Sequence, residues 1–375
     1  MKIAIDALPL LGNTGVRTYL YNLLSHLLAL DKSDEYVLCF RTGPRQRDIS
    51  TAFHDLPNVT ERRIKVPNRL LEFFWTKNHI YIPGTEKYFG SPDIFFSTMS
   101  FVPVLRIPIV SVFYDITPMK IKAYSGHLSM FQLCMRNIVA RSKYIVSISE
   151  SSKADVCNIF NAEPGKVVTI PLAANTNFRI IGDRDAVRSV LNKYGIDRKY
   201  ILYVGNLGPH KNVSTLVKAF KRLKSGSGIE HCLVLCGKKH WGREVLDAIS
   251  RLDLCADIMV LDYVPDEDLP FIYNGADLFV YISLYEGFGL PIVEAMSCGL
   301  PVITSNIASM PEVAGGAGIL VDPLDEVGVA ASIIKVLSDD VIRREQCAKS
   351  LLQAGKFSWE ATAKKTLDVF TKATG

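Results

Sequence analysis

YISLYEGFGLPIVEAMSCGLPVITSNIASMPE, residues Tyr281–Glu312, contains the pattern that decides the fold. The apolar run Leu278–Ile282 leads into a glycine-punctuated turn, and Pro291 follows where a helix begins, a position at which its missing N–H costs nothing. Gly299, with a proline two residues later, has the pattern of a helix end. Val302–Ser305 then reads as another buried strand. The stretch therefore predicts a β-loop-α-β unit whose loop leads into a helix N-terminus.

The loop of this unit has the chemistry of an anion site. Its backbone N–H groups and the positive end of the helix dipole suit a phosphate. Glu286 in the loop and Glu294, expected in the first helical turn, frame it. Carboxylates repel phosphate but accept hydrogen bonds from sugar hydroxyls, so the combination indicates a sugar nucleotide. Taken singly, Glu294 can equally complement the helix dipole and Glu286 can be a solvated loop residue; the two together are more specific.

Length and composition bound the kind of protein. A chain of 375 residues favours two domains, and 22% charged with 48% hydrophobic residues is typical of a soluble globular protein. The first residues, MKIAIDALPLLG, lack a signal-peptide pattern, and no uncharged apolar stretch reaches 18 residues. The eight cysteines are scattered without a zinc or redox spacing, which indicates thiols in a reducing compartment. We therefore expect a cytoplasmic protein without a spanning helix.

Strand and helix signals alternate along the whole chain. Such apolar strands, separated by helical stretches, predict parallel sheets covered on both faces. The glycine loop that ends at Gly15 precedes a helical pattern over Val16–Leu30 and is either a second phosphate-binding turn or a plain strand-helix connection. Pro171–Phe178 reads as a linker between two such alternations. The other predicted strands are Ile3–Leu8, Tyr36–Phe40, Thr60–Val66, Ile94–Ser97, Ile109–Tyr114, Tyr144–Ser149, Val167–Ile170, Tyr200–Val204, Leu233–Gly237 and Ile258–Leu261.

Lys211 is a second candidate ligand for phosphate. It lies in the loop after Tyr200–Val204, where a helix is about to begin. The helix dipole disfavours a cation at that end, so a lysine there is unusual unless an anion is bound nearby. A solvated lysine is the alternative interpretation.

We predict no metal site. The acidic pairs that could suggest one are Asp183 with Asp185, Asp266 with Asp268, and Asp339 with Asp340. None follows an apolar strand, and Asp266 is expected to be the N-cap of the helix that begins near Leu269. All three pairs are interpreted as structural.

Charge is distributed unevenly along the chain. Residues 1–180 hold 21 lysines and arginines against 14 acidic residues, whereas the remainder holds 22 against 24. The run Arg62–Gly90 mixes basic residues with aromatic ones, including Phe73, Phe74 and Trp75. This composition fits an anionic membrane surface or a carbohydrate, and equally a core helix with a solvated face. Since no nucleic-acid-binding motif is present, we expect no nucleic-acid partner.

The segment EGFGLPIVEAMSCGLPVITSN, followed by Pro311-Glu312-Val313, resembles the Glu-x7-Glu donor signature of glycosyltransferase family four, retaining enzymes with the GT-B fold. The resemblance is strong over Tyr200–Asp325 and looser elsewhere. It implies an α/β fold with two Rossmann-like, doubly wound parallel-sheet domains that face each other across a cleft. Residues 1–172 would form the acceptor-side domain, with helix 358–375 crossing back to it, and residues 173–357 the nucleotide-sugar-binding domain.

The same resemblance implies roles for individual residues. Lys211 and Asn212 match the family's Lys-Asn phosphate motif, with His210 before the lysine and without an arginine often found nearby. Tyr114 and Asp115 stand where the family usually has His-Asp. The implied catalytic residues are Glu286, Lys211, Tyr114 and Asp115. The implied donor-binding residues are Gly15, Gly205, His210, Lys211, Val264, Leu269, Glu286, Gly287, Phe288, Gly289, Leu290 and Glu294.

The expected activity is retaining hexosyl transfer from a nucleotide sugar to a glycan or lipid-linked glycan. The resemblance favours mannose from GDP-mannose, as in bacterial surface-polysaccharide assembly, while glucose, galactose and rhamnose donors stay open. No metal or other cofactor is expected, and contact with the inner face of the cell membrane would be peripheral. The alternatives are a nucleotide-sugar epimerase with the same fold and a non-catalytic nucleotide-sugar-binding protein. A dinucleotide oxidoreductase fits less well, because neither glycine loop reads G-x-G-x-x-G after its strand.

Overall fold

The computed structural model describes residues 1–12, 14–41, 51–66, 68–99, 101–238 and 242–375. Asn13, in the first glycine loop, lies outside the described residues. The chain divides into two compact units: residues 1–172 with 359–375, and residues 173–358. Each unit contains one sheet whose neighbouring strands all run parallel.

The sheet of the N-terminal unit has the strand order β3-β2-β1-β4-β5-β6-β7. Its strands are β1 Lys2–Asp6, β2 Glu35–Arg41, β3 Val59–Ile64, β4 Ile94–Ser97, β5 Ile109–Phe113, β6 Tyr144–Ser147 and β7 Val167–Thr169. Central strands such as β5 are buried along their whole length, since helices cover both faces of the sheet. The order reverses direction between β1 and β4, as in a doubly wound fold.

The helices of this unit include a long α1 and a C-terminal helix that packs against it. They are α1 Gly15–Leu30, α2 Asn68–Leu71, α3 Thr85–Tyr88, α4 Thr117–Lys120, α5 Leu128–Arg141 and α6 Glu150–Phe160, and the C-terminal helix is Trp359–Thr374. Short 3-10 helices cover Leu8–Leu11, Lys122–His127 and Pro164–Lys166, and a π-helix covers Glu72–Lys77. The ring of Trp359 lies 6.1 Å from that of Tyr19 in α1, and Phe370 lies 5.1 Å from Phe96 in β4. The C-terminal helix thereby joins the core of the N-terminal unit.

The sheet of the second unit has the order β10-β9-β8-β11-β12-β13. Its strands are β8 Tyr200–Val204, β9 Cys232–Cys236, β10 Ile258–Leu261, β11 Leu278–Tyr281, β12 Val302–Ser305 and β13 Gly318–Val321. The order reverses between β8 and β11, and an open parallel sheet binds its ligands beyond the carboxyl ends of the strands at such a point. The loops after β8 and β11 therefore lie where a ligand of this sheet is expected to bind.

Helices cover this second sheet as well. They are α7 Arg184–Lys193, α8 Val213–Lys224, α9 Arg243–Arg251, α10 Leu269–Gly275, α11 Leu290–Ser297, α12 Met310–Ala314, α13 Glu326–Ser338 and α14 Asp340–Ala354, which makes the C-terminal helix α15. Short 3-10 helices cover Pro209–Lys211 and Gly315–Ala317. The prediction of two Rossmann-like parallel-sheet domains is confirmed.

The predicted elements differ from the structure mainly at their ends. Strand β1 ends at Asp6 rather than Leu8, because a 3-10 helix with Pro9 in its first turn begins at Leu8. Strands β5 and β11 stop one residue early, which places Tyr114 and Ile282 in loops. Strand β13 was not predicted, since four residues next to a Gly-Gly-Ala turn carry no periodic signal.

The aromatic-basic run Arg62–Gly90 is a series of short elements rather than one core helix. Of the alternatives left open for this run, the core applies to Trp75: it is 3% exposed and packs against Phe89 and Phe101, at 6.1 and 5.5 Å between ring centroids. Phe73, in contrast, is 52% exposed. Across the described residues, the structure contains no helix long and apolar enough to cross a membrane.

Candidate functional site

The loops after β8 and β11 meet at the carboxyl edge of the second sheet. The two strands are neighbours, so the loops that follow them start side by side. The backbone N–H of Leu284 donates to the carbonyl of His210 at 2.7 Å and ties one loop to the other. Segments separated by about 75 residues in sequence thus form one surface. This surface carries most of the residues that the sequence singled out.

A buried serine hydroxyl contacts the backbone of the β11–α11 loop. The Ser309 hydroxyl lies 3.0 Å from the carbonyl oxygen of Glu286 and 2.8 Å from that of Phe288. Gly289, at φ +100°, is the residue before α11 and takes a backbone conformation that L side chains rarely adopt. Phe288 is buried and meets Phe357 edge to face at 5.7 Å. The loop backbone on both sides of Gly287 is therefore fixed by Ser309, and the Phe288 ring packs in the core.

Lys211 and Glu286 form a buried ion pair. The Lys211 Nζ lies 2.6 Å from Glu286 Oε1, and the two side chains are only 10% and 12% exposed. The Tyr281 hydroxyl accepts from Lys211 at 2.6 Å and donates to the same carboxylate oxygen at 2.9 Å. Burial raises the pKa of Glu286, but the charge of Lys211 and its hydrogen bond to the carboxylate outweigh burial and hold that pKa below its ordinary value. Glu286 is therefore ionised at neutral pH.

His210 sits beside this pair as a neutral imidazole. Burial and the adjacent Lys211 charge lower the pKa of His210 to about 4, against a weaker opposing effect of Glu286. At neutral pH the ring can donate or accept a hydrogen bond without adding a charge. The site therefore holds one cation and one anion, with a neutral histidine at their edge.

Glu294 has a different environment from Glu286. It lies in the second turn of α11, so the expectation that it sits in the first turn beside the helix dipole is wrong. Its carboxylate accepts a hydrogen bond from the buried Tyr273 hydroxyl at 2.9 Å. Burial raises the pKa of Glu294 to about 7 despite that bond. At neutral pH the carboxyl is thus close to half protonated.

The remaining predicted residues of the second unit also lie at the carboxyl edge. Gly205 directly follows β8, and its N–H donates to the Cys236 carbonyl of β9 at 2.9 Å. Val264 is buried in the loop after β10, and Leu269 begins α10. Gly287 lies in the β11–α11 loop, and Leu290 is the first residue of α11.

Three predicted site residues belong to the N-terminal unit. Gly15 is exposed at the first position of α1. The Tyr114 hydroxyl donates to the Thr98 carbonyl at 2.9 Å, and burial raises the pKa of Tyr114 well above its ordinary value. Asp115 accepts from the Thr117 N–H at 2.7 Å. The Tyr114 hydroxyl is therefore directed into its own unit. The rings of Tyr114 and Tyr19 pack edge to face there, with 5.7 Å between their centroids.

The acidic pairs have structural partners. Asp183 and Asp339 accept backbone N–H groups at the starts of α7 and α14. The expected cap at Asp266 is wrong, because Asp268 is the residue before α10, and its carboxylate takes Lys193 and Tyr194, each at 2.6 Å. Within the part of the chain that the structure describes, no group of three or more His, Cys, Asp or Glu side chains is placed to hold a metal ion.

Comparison with known proteins identifies the family. The family model for glycosyl transferases group 1 matches residues 183–351. The O-antigen chain mannosyltransferase B of Escherichia coli is 36% identical over 265 residues, which cover 70% of this chain and 69% of that protein. This chain is a group 1 glycosyltransferase. A second relative of this glycosyltransferase, the O-antigen chain mannosyltransferase RfbU of Salmonella typhimurium, is 26% identical over 88% of the chain and 90% of RfbU.

Other relatives differ in length. The serotype-specific mannosyltransferase WbdA of Escherichia coli is 32% identical over 72% of this glycosyltransferase, but the match spans only 34% of WbdA.

Solved structures show the same architecture. HepE from Anabaena in complex with UDP-glucose matches with a TM-score of 0.77 at 16% identity, covering 99% of this chain and 100% of HepE. WaaG, a glycosyltransferase involved in lipopolysaccharide biosynthesis, matches with a TM-score of 0.69 at 15% identity over 98% and 99% of the two chains. At this identity the likeness concerns the fold alone, and the expected GT-B architecture of this glycosyltransferase is confirmed.

The sequence patterns did not single out three side chains that hold the candidate site together. Tyr281 holds Lys211 and Glu286, Tyr273 holds Glu294, and Ser309 holds the loop backbone. Tyr281 and Ser309 lie within the stretch first quoted, but each looks like an ordinary strand or loop residue there. Their roles depend on contacts that no local pattern encodes.

Proposed function

We propose that this glycosyltransferase moves a mannosyl residue from GDP-mannose to a glycan or lipid-linked glycan, with retention of anomeric configuration and without a divalent metal. The observation that carries the proposal is the buried Lys211–Glu286 pair at the point where the second sheet reverses direction. A cation and a hydrogen-bond acceptor side by side match the two chemistries of a nucleotide sugar, its diphosphate and its hydroxyls. The names of the mannosyltransferase relatives support mannose as the transferred sugar.

The proposed donor complex uses these residues in distinct ways. Lys211, with the backbone N–H groups at the start of α11, binds the diphosphate, and Glu286 accepts hydrogen bonds from the transferred sugar. Glu294 in its ionised form accepts from the ribose hydroxyls. Gly205, Val264 and Leu269 lie at the same edge of the sheet and line the nucleotide end of the donor. Gly15 is proposed to bind the donor and Tyr114 and Asp115 to act in catalysis, as the family resemblance implies, while the N-terminal unit receives the acceptor.

The reaction needs no nucleophile from the protein. The acceptor hydroxyl forms a new bond to the anomeric carbon on the face from which the nucleoside diphosphate departs, as the bond from that carbon to the phosphate oxygen breaks. The acceptor proton passes to the departing phosphate oxygen. Lys211 stabilises the charge that grows on the diphosphate, the task that a metal ion performs in other enzymes. Positioning and electrostatic stabilisation then supply the rate enhancement.

The proposal is tested by assaying transfer from GDP-mannose, UDP-glucose, UDP-galactose and dTDP-rhamnose to lipid-linked and soluble glycans. We expect GDP-mannose to raise the melting temperature most and to give an axially configured product by NMR, as in the donor. Activity is expected to survive EDTA. Loss of activity with EDTA and its recovery with manganese would contradict metal independence. An epimerised donor formed without acceptor would favour the epimerase, and tight donor binding without transfer would favour a binding protein.

The surface of the N-terminal unit supports peripheral association with an anionic membrane. Leu70 and Phe73 are 49% and 52% exposed, and exposed Arg62, Lys65 and Arg69 lie close to them in sequence. Apolar side chains that enter the interface, together with cations that reach lipid phosphates, produce reversible membrane binding. A lipid-linked acceptor would be delivered on this side. The proposal thus places the protein on the inner face of the cell membrane.

A further inference from the structure

Tyr281 forms a closed hydrogen-bonded triangle with Lys211 and Glu286. The Lys211 ammonium donates to the Tyr281 hydroxyl and to Glu286 Oε1, each at 2.6 Å, and the Tyr281 hydroxyl donates to the same Oε1 at 2.9 Å. The Tyr281 hydroxyl donates its proton to Glu286 and accepts from Lys211 with an oxygen lone pair, so its two hydrogen bonds do not compete. Tyr281 therefore contacts both charged groups of the site at once.

Tyr281 itself is held rigidly. Its side chain is fully buried, and its ring lies 5.9 Å from the rings of both Phe279 and Tyr203, nearly parallel to each, at 15° and 17°. Its carbonyl accepts the Thr304 hydroxyl from β12 at 2.7 Å. Lys211 ends a short 3-10 helix and Glu286 lies in a loop, whereas Tyr281 is the last residue of β11. The hydroxyl is thus a fixed point that positions both charged side chains.

We infer that Tyr281 is a positioning residue of the transfer reaction. Its hydroxyl holds Lys211 and Glu286 together in the free enzyme, and it keeps Glu286 hydrogen-bonded when the donor's diphosphate takes Lys211. The inference rests on the proposed function, because it requires an anionic donor group that competes with Glu286 for Lys211.

The energetic reason lies in the burial of Glu286. When Lys211 turns towards a diphosphate, the carboxylate loses its cation, and a buried charge without partners is strongly unfavourable. The hydroxyl of Tyr281 still donates to it, and a hydrogen bond to the ionised form stabilises that form. The titratable groups that act on Glu286 are Lys211 and His210, with Tyr281 in contact and Glu294 acting on Tyr281 from α11. Tyr281 thereby lets Lys211 exchange partners while Glu286 stays ionised for the sugar.

The test compares Tyr281→Phe with Tyr203→Phe. Both rings belong to the same stack, but the buried Tyr203 hydroxyl donates to the Asn206 carbonyl at 2.8 Å rather than to a charged group. In Tyr281→Phe we expect kcat to fall about tenfold and the donor KM to change less than about threefold, since a hydrogen bond to a charge is lost after binding. Tyr203→Phe should keep both constants close to wild type.

The pH profile separates positioning from mere folding. In Tyr281→Phe the acidic limb of kcat should move to higher pH, because Glu286 in the donor complex has lost the hydrogen bonds of both Lys211 and Tyr281. The acidic limb of kcat/KM, which reports the free enzyme with Lys211 still paired, should move less. Wild-type kcat and an unmoved acidic limb in Tyr281→Phe, or an equal loss in Tyr203→Phe, would overturn the inference.

A second measurement keeps the inference testable if no donor is transferred. The free energies of unfolding of wild type, Tyr281→Phe, Glu286→Gln and the double variant form a cycle that needs no ligand. We expect a clear coupling between the two substitutions, and additive effects would overturn the proposed network. A wild-type protein that transfers none of the donors would contradict the proposed function, and the cycle would still report on the network by itself.

Discussion

Lys211 is paired with Glu286 in the free protein, and this changes what its substitution removes. The lysine is 8% exposed, and its partner lies in another buried loop. An anion does sit beside this cation, as the helix-dipole argument required, but it is a carboxylate of the chain itself. In the proposed donor complex the diphosphate has to compete with Glu286 for the ammonium group, and the strength of that competition would contribute to donor affinity.

The first prediction concerns Lys211. Lys211→Ala should lower kcat/KM at least about tenfold, roughly 1.4 kcal/mol, since the charge that stabilises the leaving diphosphate is lost. It should also lower the free energy of unfolding, because Glu286 is left as a buried carboxylate without its cation. Lys211→Arg should recover part of both losses. Steady-state kinetics and urea denaturation measure them, and equal activity in the three proteins would move the phosphate site elsewhere.

The two glutamates should separate in kinetics. Glu294→Ala is expected to weaken donor binding about tenfold, as it removes the acceptor for ribose hydroxyls, with a smaller effect on kcat. Glu286→Ala should mainly lower kcat, because it contacts the transferred sugar. Donor titration by calorimetry and steady-state kinetics on both variants test this assignment. Wild-type donor affinity in Glu294→Ala would show that its carboxylate has no part in binding.

Glu294 should also make stability depend on pH. The pKa of Glu294 is raised to about 7 in the folded protein, so the fold binds this proton more tightly than the unfolded chain does. The resulting stabilisation is complete below the ordinary glutamate pKa and is lost as pH rises through about 7. Glu294→Gln cannot ionise, so at pH 8 it should gain on the order of 1 kcal/mol relative to wild type, and much less at pH 5. Thermal melts across this range decide the matter, and a difference independent of pH would contradict the shift.

At the scale of elements, the site is produced by the order of the strands. The loops after β8 and β11 come together because these strands are neighbours on either side of the reversal in the sheet. The β11–α11 loop also needs Gly289, whose φ of +100° lets the chain turn directly into α11. A Cβ at this position would come within 3.1 Å of Ile292. The path of the chain from the loop into α11 therefore depends on the absence of a side chain at Gly289.

Gly289→Ala should disturb this junction. We expect a loss of about 1–3 kcal/mol of stability from the forced backbone conformation, together with weaker donor binding as the loop shifts. Gly182→Ala is the matched control, since a Cβ there meets no atom within 4 Å and its φ is not in the left-handed region. Chemical denaturation and donor titration measure the two effects. A Gly289→Ala protein as stable as the control would mean that the loop tolerates another path.

At the scale of the whole molecule, the net positive charge lies in the N-terminal half of the chain. The excess of basic residues over 1–180 accompanies exposed apolar side chains in the same unit, among them Leu70 and Phe73. The second unit has no such excess and carries the candidate donor site. We interpret this as a division of tasks: the basic N-terminal unit attracts an anionic surface that carries the acceptor, and the second unit binds the donor.

The protein should sediment with anionic vesicles at low salt and be released at high salt, because ionic strength screens the attraction. Phe73→Ser should reduce binding several-fold by removing an apolar group from the interface. Leu352→Ser, a substitution at a 76%-exposed leucine of the second unit, should leave it unchanged. Protein that stays in the supernatant at low salt would assign the basic and aromatic surface to glycan binding instead.

Patterns in the sequence by themselves predicted two parallel sheets without strand β13, the β-loop-α-β unit at Tyr281–Glu312, and the candidate residues Lys211, Glu286 and Glu294, while the family resemblance implied the doubly wound order. These follow from local periodicity, glycine and proline positions and helix ends, which depend on neighbours along the chain. Bounds were less accurate, as at β1, where a proline turn ended the strand early.

Only the tertiary structure decided which of these residues meet and how they are charged. Lys211 and Glu286 are 75 positions apart, and their contact exists because β8 and β11 are adjacent. The pKa of Glu294 and the burial of Trp75 likewise depend on what packs around them from other elements. Desolvation and Coulomb interactions act through space over a few ångströms, so a sequence pattern names the groups while the fold sets their protonation and their partners.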